Sequence, residues 1–236
     1  MIDIRDIRDI RDIRNVFYIN LDSRIDRKNH VESELRKVGI VGERFSAIIN
    51  DKGSIGCTMS HIRCLEIAKE NNFDHILIVE DDILFTNPNL FINQLNKFLS
   101  SDKDFDVLLL AGNNYSPYIK IDECCIKVNN CQTTSGYLVK SHYYDKLIEN
   151  YKVGLDNLIK TSLGDYCIDQ YWKNLQKIDK WFLIIPLTVT QREDYSNIEK
   201  KIVKYENLML DLNKKSDIND IKFFPKIKVF GGRKFF

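Results

Sequence analysis

Residues 75–85 place the strongest constraint on the fold of this chain of 236 residues. Four aliphatic residues, Ile76 to Val79, are followed directly by three carboxylates, Glu80, Asp81 and Asp82. A short apolar run that is rich in β-branched side chains and does not alternate is typical of a strand buried on both faces of a parallel sheet. Ligands gather at the carboxyl ends of such strands, and three adjacent like charges favour a bound cation, with oxygen ligands suited to Mg²⁺ or Mn²⁺. A solvent-exposed acidic turn is the alternative, and the run by itself does not separate the two.

Composition narrows the class of protein. The chain is 44% apolar and 29% charged, with a formal charge of +1, which predicts one soluble α/β domain and argues against a general nucleic-acid binder. No apolar stretch approaches the roughly 20 residues that span a bilayer, and the N-terminus lacks the apolar core of a secretory signal. We therefore expect a cytoplasmic protein.

The cysteines are expected to be reduced thiols. A chain of this length has enough core to fold without disulfides, although six cysteines could form three. Cys124, Cys125 and Cys131 match no C-x₂-C pair and have no histidine nearby in the sequence, so a zinc site there is disfavoured.

The N-terminus is a repeat. Residues 3–14 are four copies of Asp-Ile-Arg, and a period of three gives neither an α-helix nor a strand a steady apolar face. We predict three parts: a low-complexity repeat outside the core over residues 1–14, a domain over 15–198, and a basic and aromatic tail over 199–236.

Alternating strands and helices follow the repeat. Strands are predicted at 15–20, 43–49, 75–80 and 105–110, and helices over 24–38, 58–71 and 89–100, with Gly39 placed to end the first helix in a left-handed conformation. This order predicts a mostly parallel, Rossmann-type sheet flanked by helices. From Tyr115 onward the pattern is mixed: short strands at 115–121, 126–131, 132–139 and 181–185, and helices at 142–150 and 165–175.

Five ordered sequence blocks resemble those of the glycosyltransferases of family 25. That family includes bacterial lipooligosaccharide galactosyltransferases and collagen hydroxylysine galactosyltransferases. The blocks are VFYINLDSRIDR (16–27), ERFSAI (43–48), GSIGCTMSH (53–61), IVEDD (78–82) and TSGY (134–137), and a weaker sixth runs over 186–198. The chain departs from the family at Ser54, where many members have glutamate, and at Asn197, where aspartate is usual.

The resemblance implies a GT-A-like fold, a UDP-sugar donor, a divalent metal and inversion at the anomeric carbon. The metal, Mn²⁺ or Mg²⁺, is expected on Asp82 and one earlier carboxylate, with Glu80 favoured over Asp81. The sequence order alone does not rank those two.

The residues expected to bind the nucleotide sugar are inferred from the same blocks and from their position after the first strand. They are Asn20, Leu21, Arg24, Asp26, Arg27, His61 and Asp81. A solvated first helical turn is the alternative for the arginines and Asp26. His61 is predicted at the start of a helix, where backbone N–H groups favour anions, with a structural or capping role as the alternative.

The acceptor hydroxyl needs a proton acceptor, and Asp169 aligns best with the late acidic residue of the family. Asp165 is the second choice, since it also suits a role at a helix N-terminus. Thr134, Gly136, Tyr137 and Gln191 are expected on the sugar or acceptor side, with Tyr137 stacking on a sugar ring. Trp172 and Trp181 are expected in the core rather than at a sugar.

The final fifteen residues, 222–236, contain five phenylalanines and five basic residues without an acid. They suit an anionic membrane surface or a partner groove, or they pack back on the domain.

The sequence therefore predicts a metal-dependent, inverting transferase. It would move galactose or glucose from a UDP-sugar to a hydroxyl of a glycan or of a hydroxylysine-type protein, in lipopolysaccharide biosynthesis or protein glycosylation. A catalytically inactive binding module on the same fold and a nucleotidyl or phosphoryl transferase are the alternatives, although no G-x-x-x-x-G-K-[ST] loop is present. The abundance of Ile, Lys, Asn and Asp suggests a bacterial or viral source.

Overall fold

The computed structural model describes residues 7–196 and 198–214. The strands, in chain order, are β1 (Val16–Asn20), β2 (Glu43–Ser46), β3 (His75–Glu80), β4 (Ile83–Phe85), β5 (Val107–Leu109), β6 (Asn113–Asn114), β7 (Ile119–Lys120), β8 (Cys125–Lys127), β9 (Cys131–Gln132), β10 (Gly136–Lys140), β11 (Trp181–Ile184), β12 (Val189–Gln191), β13 (Asp194–Ser196) and β14 (Lys201–Val203). The helices are α1 (Ile25–Lys37), α2 (Gly53–Glu70), α3 (Pro88–Leu99), α4 (Tyr144–Thr161), α5 (Ile168–Tyr171), α6 (Lys173–Gln176) and α7 (Glu206–Met209). Three short 3₁₀ helices cover Ile10–Asp12, Ser141–Tyr143 and Gly164–Tyr166.

An eight-stranded sheet with the order β2-β1-β3-β10-β5-β11-β8-β7 forms the centre of the molecule. Six of the strands run in one direction, while β10 and β8 are antiparallel to their neighbours. The predicted α/β class, with a mostly parallel sheet and a mixed second half, is confirmed. Both reversed strands come from the part of the chain after Tyr115, where the sequence pattern loses its regular alternation.

Helices cover both faces of the sheet because its strands are apolar on both sides. In β3, Leu77 and Val79 face a core formed with α1 and α3, whereas Ile76 and Ile78 face a core formed with α2 and α4. The prediction of a strand buried on both faces is therefore correct. Its carboxylates follow at the carboxyl end, beside the end of β1, where Ile19 pairs with Glu80.

The described part of the N-terminal repeat, residues 7–14, does not lie outside the core, contrary to the prediction. Ile7, Ile10 and Ile13 are buried against the face covered by α1 and α3. Ile10 lies in a 3₁₀ helix capped by Asp9, and its N–H donates to Asn96 in α3. A 3₁₀ helix has three residues per turn, so the turn at Ile10–Asp12 matches the period of three, and Ile7, Ile10 and Ile13 are all buried.

Other element boundaries also differ from the prediction. Helix α2 begins at Gly53 rather than 58, because Gly56 lets the helix approach Ile48 so closely that a Cβ would lie 2.4 Å from the Ile48 carbonyl oxygen. The predicted helix over 165–175 is divided into a 3₁₀ turn, α5 and α6, and α4 extends to Thr161. Gly39 has a φ of +74°, as its place after α1 predicted.

None of the helices within the described ranges has the length and apolar character needed to cross a membrane. All six cysteines are free thiols. The predicted tail segment 222–236 and Asn197 lie outside the described residues.

Candidate active site

A cavity of about 320 Å³ opens at the carboxyl ends of β1 and β3. Residues of α2, of the 133–134 and 167–169 segments and of the stretch from 191 to 205 complete its wall. We call this cavity the acidic pocket. The predicted site residues that line it are Leu21, Arg24, Arg27, His61, Glu80, Asp81, Asp82, Thr134, Asp169 and Gln191. Residues far apart in the sequence therefore meet where an α/β sheet usually holds its ligand.

Glu80 is held by hydrogen bonds on both carboxylate oxygens. Its Oε1 accepts from Thr134 Oγ1 at 2.7 Å and lies 3.4 Å from His61 Nε2, while Oε2 accepts from Gln191 Nε2 at 3.2 Å. Burial favours the neutral acid, but the bonds from His61 and Thr134 outweigh it and lower the pKa of Glu80. Glu80 is therefore a fixed negative charge inside the pocket.

Asp81 and Asp82 share one guanidinium. Arg27 Nη1 lies 2.9 Å from Asp81 Oδ1 and 3.2 Å from Asp82 Oδ2, and Asn20 Nδ2 donates to the other oxygen of Asp81 at 2.7 Å. Burial raises the pKa of Asp81. It also raises the pKa of Asp82 to about 7, with the charge of Glu80 adding to the effect.

Asp82 leaves an unused ligand atom. Its Oδ1 is buried and has no hydrogen-bond partner. A buried carboxylate oxygen without a donor is unfavourable, and a divalent cation would supply the missing positive charge. The donor set of Asp82 and Glu80, all oxygen, fits Mn²⁺ or Mg²⁺.

One carboxylate not anticipated from the sequence joins three arginines. Asp194 Oδ2 lies 2.6 Å from Arg24 Nη2, 3.0 Å from Arg27 Nε and 2.9 Å from Arg192 Nη2. Burial opposes ionisation, but the N–H of Tyr195 and the two pocket arginines outweigh it and lower the pKa of Asp194 to about 2. Asp194 and Arg192 lie inside the weak sixth block, so a signal existed without a residue being assigned.

His61 is not at the start of a helix, contrary to the prediction. It lies in the interior of α2 and is completely buried, so no free backbone N–H group surrounds it. Its Nδ1 lies 2.8 Å from the hydroxyl of Tyr137 and its Nε2 points to Glu80. The histidine thus orients Glu80.

Tyr137 and Gly136 also take roles other than those predicted. The Tyr137 ring is fully buried and packs on His61 and Trp172, so it has no face available for a sugar. Gly136 lies in the centre of the sheet, where a Cβ would meet Ile83 and Val79 rather than a ligand. Both residues lie on β10, which pairs with β3, so they support the strand that carries Glu80 and do not contact a ligand themselves.

The two candidate bases separate in the structure. Asp169 lies in the pocket and accepts from the Thr133 N–H at 3.1 Å, and burial raises its pKa. Asp165 is exposed in the 3₁₀ turn Gly164–Tyr166 and does not line the pocket. The geometry therefore favours Asp169.

The remaining predicted residues lie at the rim or in the core. Asn20 is buried and orients Asp81, while Asp26 is exposed and pairs with Arg24 at 2.9 Å. Trp172 and Trp181 are fully buried against each other, with ring centroids 5.2 Å apart.

Among the other residues that line the pocket, Cys57 and Thr133 received no role from the sequence. Cys57 belongs to the third block, and Thr133, which adopts a φ of +73°, directly precedes the fifth.

The central part of the chain matches a known family. Residues 51–159 match the model of glycosyltransferase family 25 (LPS biosynthesis protein). A Haemophilus influenzae protein named "Putative glycosyltransferase" is 33% identical over 28% of this chain and 32% of its own length. The chain thus spans about a third of the length of this curated relative.

Solved structures resemble the chain at low sequence identity. A glycosyltransferase, GlyE, of Streptococcus pneumoniae is 10% identical with a TM-score of 0.45, covering 74% of this chain and 46% of that one. A197 from STIV is 15% identical with a TM-score of 0.44, covering 81% and 93%. A Drosophila β-1,4-galactosyltransferase 7 in complex with manganese, UDP-Gal and xylobiose is 10% identical with a TM-score of 0.37, covering 92% and 82%.

The chain thus combines an α/β fold and an acidic pocket at the strand ends with a central segment similar to glycosyltransferases. The match over residues 51–159 agrees with the resemblance to glycosyltransferase family 25 that the sequence blocks indicate. The matched segment contains the GSIGCTMSH, IVEDD and TSGY blocks, whereas the first two blocks, Asp169 and Gln191 lie outside it.

Proposed function

We propose that the protein is a metal-dependent, inverting transferase that moves galactose or glucose from a UDP-sugar to a hydroxyl group. The observation that carries the proposal is the wall of the acidic pocket formed by Glu80, Asp81 and Asp82, in which the buried Asp82 Oδ1 has no partner. Such an arrangement suits a divalent cation beside a diphosphate.

Asp82 and Glu80 would hold Mn²⁺ or Mg²⁺. When bound, the ion would neutralise negative charge on the departing diphosphate. Asp81 is fully engaged by Asn20 and Arg27, so it would orient the arginine instead of the ion. This assignment agrees with the expectation that Glu80 rather than Asp81 accompanies Asp82.

Arg24 and Arg27 would bind the diphosphate. Both line the pocket, and guanidinium groups bind phosphate oxygens through paired N–H donors. Both donate to the carboxylate of Asp194, and these contacts with an anion support the assignment. Asn20 and Leu21, at the end of β1, would lie toward the nucleoside.

Asp169 would act as the catalytic base. The acceptor oxygen would form a bond to the anomeric carbon as the bond from that carbon to the diphosphate breaks, and the hydroxyl proton would pass to Asp169. In-line attack inverts the configuration. Burial raises the pKa of Asp169, which brings the carboxylate closer to the proton affinity that suits a base near neutral pH.

The acceptor would be a glycan or a hydroxylysine-type protein. Thr134 and Gln191 line the pocket beside Glu80, where they would meet the transferred sugar or the acceptor. The family description, an LPS biosynthesis protein, supports a glycan acceptor. The cytoplasmic location and the membrane contact through residues 222–236 remain predictions.

Release of UDP tests the proposal. The full chain is incubated with UDP-Gal or UDP-Glc in Mn²⁺ and in EDTA. Asp82→Asn is compared with the control Asp145→Asn, which changes an exposed aspartate of α4 that pairs with Lys69. We expect metal-dependent release in the wild type and in Asp145→Asn, and a loss of at least a hundredfold in Asp82→Asn with an unchanged circular dichroism spectrum.

Two results would contradict the proposal. If neither donor releases UDP while UDP or a glycan still binds, the inactive binding module is favoured. Release of pyrophosphate from a nucleoside triphosphate and a sugar phosphate would favour the nucleotidyl transferase.

A further inference from the structure

A thiol, an imidazole and a carboxylate meet in the acidic pocket. Cys57 Sγ, His61 Nε2 and Glu80 Oε1 all lie within 4.8 Å of one another. The proposed transfer uses Glu80 but gives Cys57 and His61 no contact with substrate. The proposed transfer therefore leaves the thiol and the imidazole without a function of their own.

The spacing of the three atoms is close to that of zinc ligands. Glu80 Oε1 lies 3.4 Å from His61 Nε2 and 3.8 Å from Cys57 Sγ. Tetrahedral zinc with its usual bond lengths places neighbouring ligand atoms about 3.3 to 3.6 Å apart. The two distances to Glu80 differ from these values by a few tenths of an ångström at most, and Cys57 Sγ lies within 4.8 Å of His61 Nε2.

The surrounding bonds fix the ligands in this orientation. Cys57 and His61 lie four residues apart and therefore share one face of α2. The Tyr137 hydroxyl holds His61 Nδ1 at 2.8 Å, which leaves Nε2 turned toward Glu80. Gln191 donates to the second oxygen of Glu80. Supporting bonds of this kind are typical of protein zinc sites.

We propose that Cys57, His61 and Glu80 bind a borderline-soft divalent ion, Zn²⁺, with the fourth coordination position open to the pocket. Thiolate and imidazole favour Zn²⁺ over Mn²⁺ and Mg²⁺, which bind oxygen ligands. The Cys57 thiol must release its proton to water when the ion binds, so binding strengthens as the pH rises.

The other cysteine cluster does not fit as well. Asp122, Cys124 and Cys125 also lie close together, but Lys103 Nζ is 2.6 Å from Asp122 Oδ2. A cation there would have to displace an ammonium group. No comparable cation contacts Cys57, His61 or Glu80 among the described ion pairs.

Inhibition by Zn²⁺ is expected from this site, and this expectation rests on the proposed function. Zn²⁺ on Glu80 Oε1 would occupy a carboxylate that the donor's Mn²⁺ also needs. We therefore expect Zn²⁺ to inhibit Mn²⁺-dependent transfer, and Cys57→Ser to relieve the inhibition by at least tenfold in Zn²⁺ concentration.

Cobalt provides a test that needs no activity. Co²⁺ is titrated into the full chain under reducing conditions, and the thiolate-to-cobalt charge-transfer band in the near ultraviolet is recorded, with Zn²⁺ affinity from calorimetry. Cys167→Ser is the matched control, since Cys167 lines the same pocket but is not one of the three ligands.

We expect the band in the wild type and in Cys167→Ser, and its loss in Cys57→Ser with Zn²⁺ affinity at least tenfold weaker. Absence of the band in the wild type, or its persistence in Cys57→Ser, would overturn the proposal. Asp82→Asn should keep the band while abolishing UDP release, so failure of the zinc site and failure of the transferase assignment are distinguishable.

Discussion

Asp194→Asn tests whether the arginine cluster stabilises the active-site wall. Asp194 lies on β13, and its carboxylate receives Arg24, Arg27 and Arg192 at 2.6, 3.0 and 2.9 Å. The substitution keeps the shape of the side chain and removes its charge. Three guanidiniums would then lose a shared anion, although Arg27 would still contact Asp81 and Asp82.

The magnitude follows from the depressed pKa of Asp194. Burial opposes ionisation, but the N–H of Tyr195 and the guanidiniums of Arg24 and Arg27 prevail and lower the pKa from 3.8 to about 2. This difference corresponds to about 2.5 kcal/mol of stability. Because the cluster is partly solvated, we expect Asp194→Asn to cost about 1 to 2 kcal/mol at pH 7.

The pH dependence gives the sign of the effect. A carboxyl group whose pKa is lower in the folded state contributes its full stabilisation of the folded state at a pH above its unfolded pKa, here 3.8. That stabilisation is lost as the pH falls toward the folded pKa of about 2. The difference in unfolding free energy between wild type and variant should be constant from pH 7 to about 5. It should shrink to about half at pH 3.

Urea unfolding followed by fluorescence of the two buried tryptophans, Trp172 and Trp181, measures the gap. Asp145→Asn is the control, since Asp145 is 75% exposed and pairs with one lysine, so its loss should cost less than about 0.5 kcal/mol. An Asp194→Asn variant as stable as this control, or a gap that does not narrow in acid, would refute the reasoning.

Three further substitutions test other parts of the structure. Asp169→Asn should lower kcat for sugar transfer by about 10²- to 10⁴-fold with UDP affinity retained; in the wild type, transfer should fall as acid protonates Asp169, at a pH above the ordinary aspartate range because burial raises its pKa. Wild-type kcat in the variant would remove Asp169 as the base. Tyr137→Phe should cost about 1 to 3 kcal/mol in urea unfolding, because buried His61 loses the partner of its Nδ1, and an unchanged midpoint would contradict that role. Ile10→Ala should lower the unfolding free energy by about 2 kcal/mol or more, because Ile10 is buried in the core; Ile25→Ala, at a position 66% exposed, should change it by less than about 0.5 kcal/mol, and equal effects would place the repeat outside the core.

Local patterns predicted much of the architecture. The run Ile76 to Val79 is apolar at every position, so only a strand covered on both faces satisfies it, and the structure places its residues alternately in two cores. Gly39 follows Val38, the residue after α1, and its positive φ ends that helix. The acidic triplet then fell at a strand end because the strand itself was correctly located.

The repeat shows where such pattern reasoning failed. A period of three fits neither the α-helix nor the strand, but it matches the 3₁₀ helix that forms at Ile10–Asp12. That short helix is stable here because Ile7, Ile10 and Ile13 pack on the sheet and Asn96 receives the Ile10 N–H. These contacts come from distant residues, so no local pattern contains them.

The sequence by itself determined the α/β class, the buried strand with its carboxylates and the resemblance of the central segment to glycosyltransferase family 25. Those properties depend on side-chain order over short distances, where hydrophobic periodicity and motif spacing act directly. Only the tertiary structure decided which acid is held by which partner: that Asp82 keeps an unused oxygen, that Tyr137 supports His61 from within the core, and that Asp194 joins three arginines. Charge pairing and burial depend on distances between residues up to 170 positions apart, and folding fixes those distances.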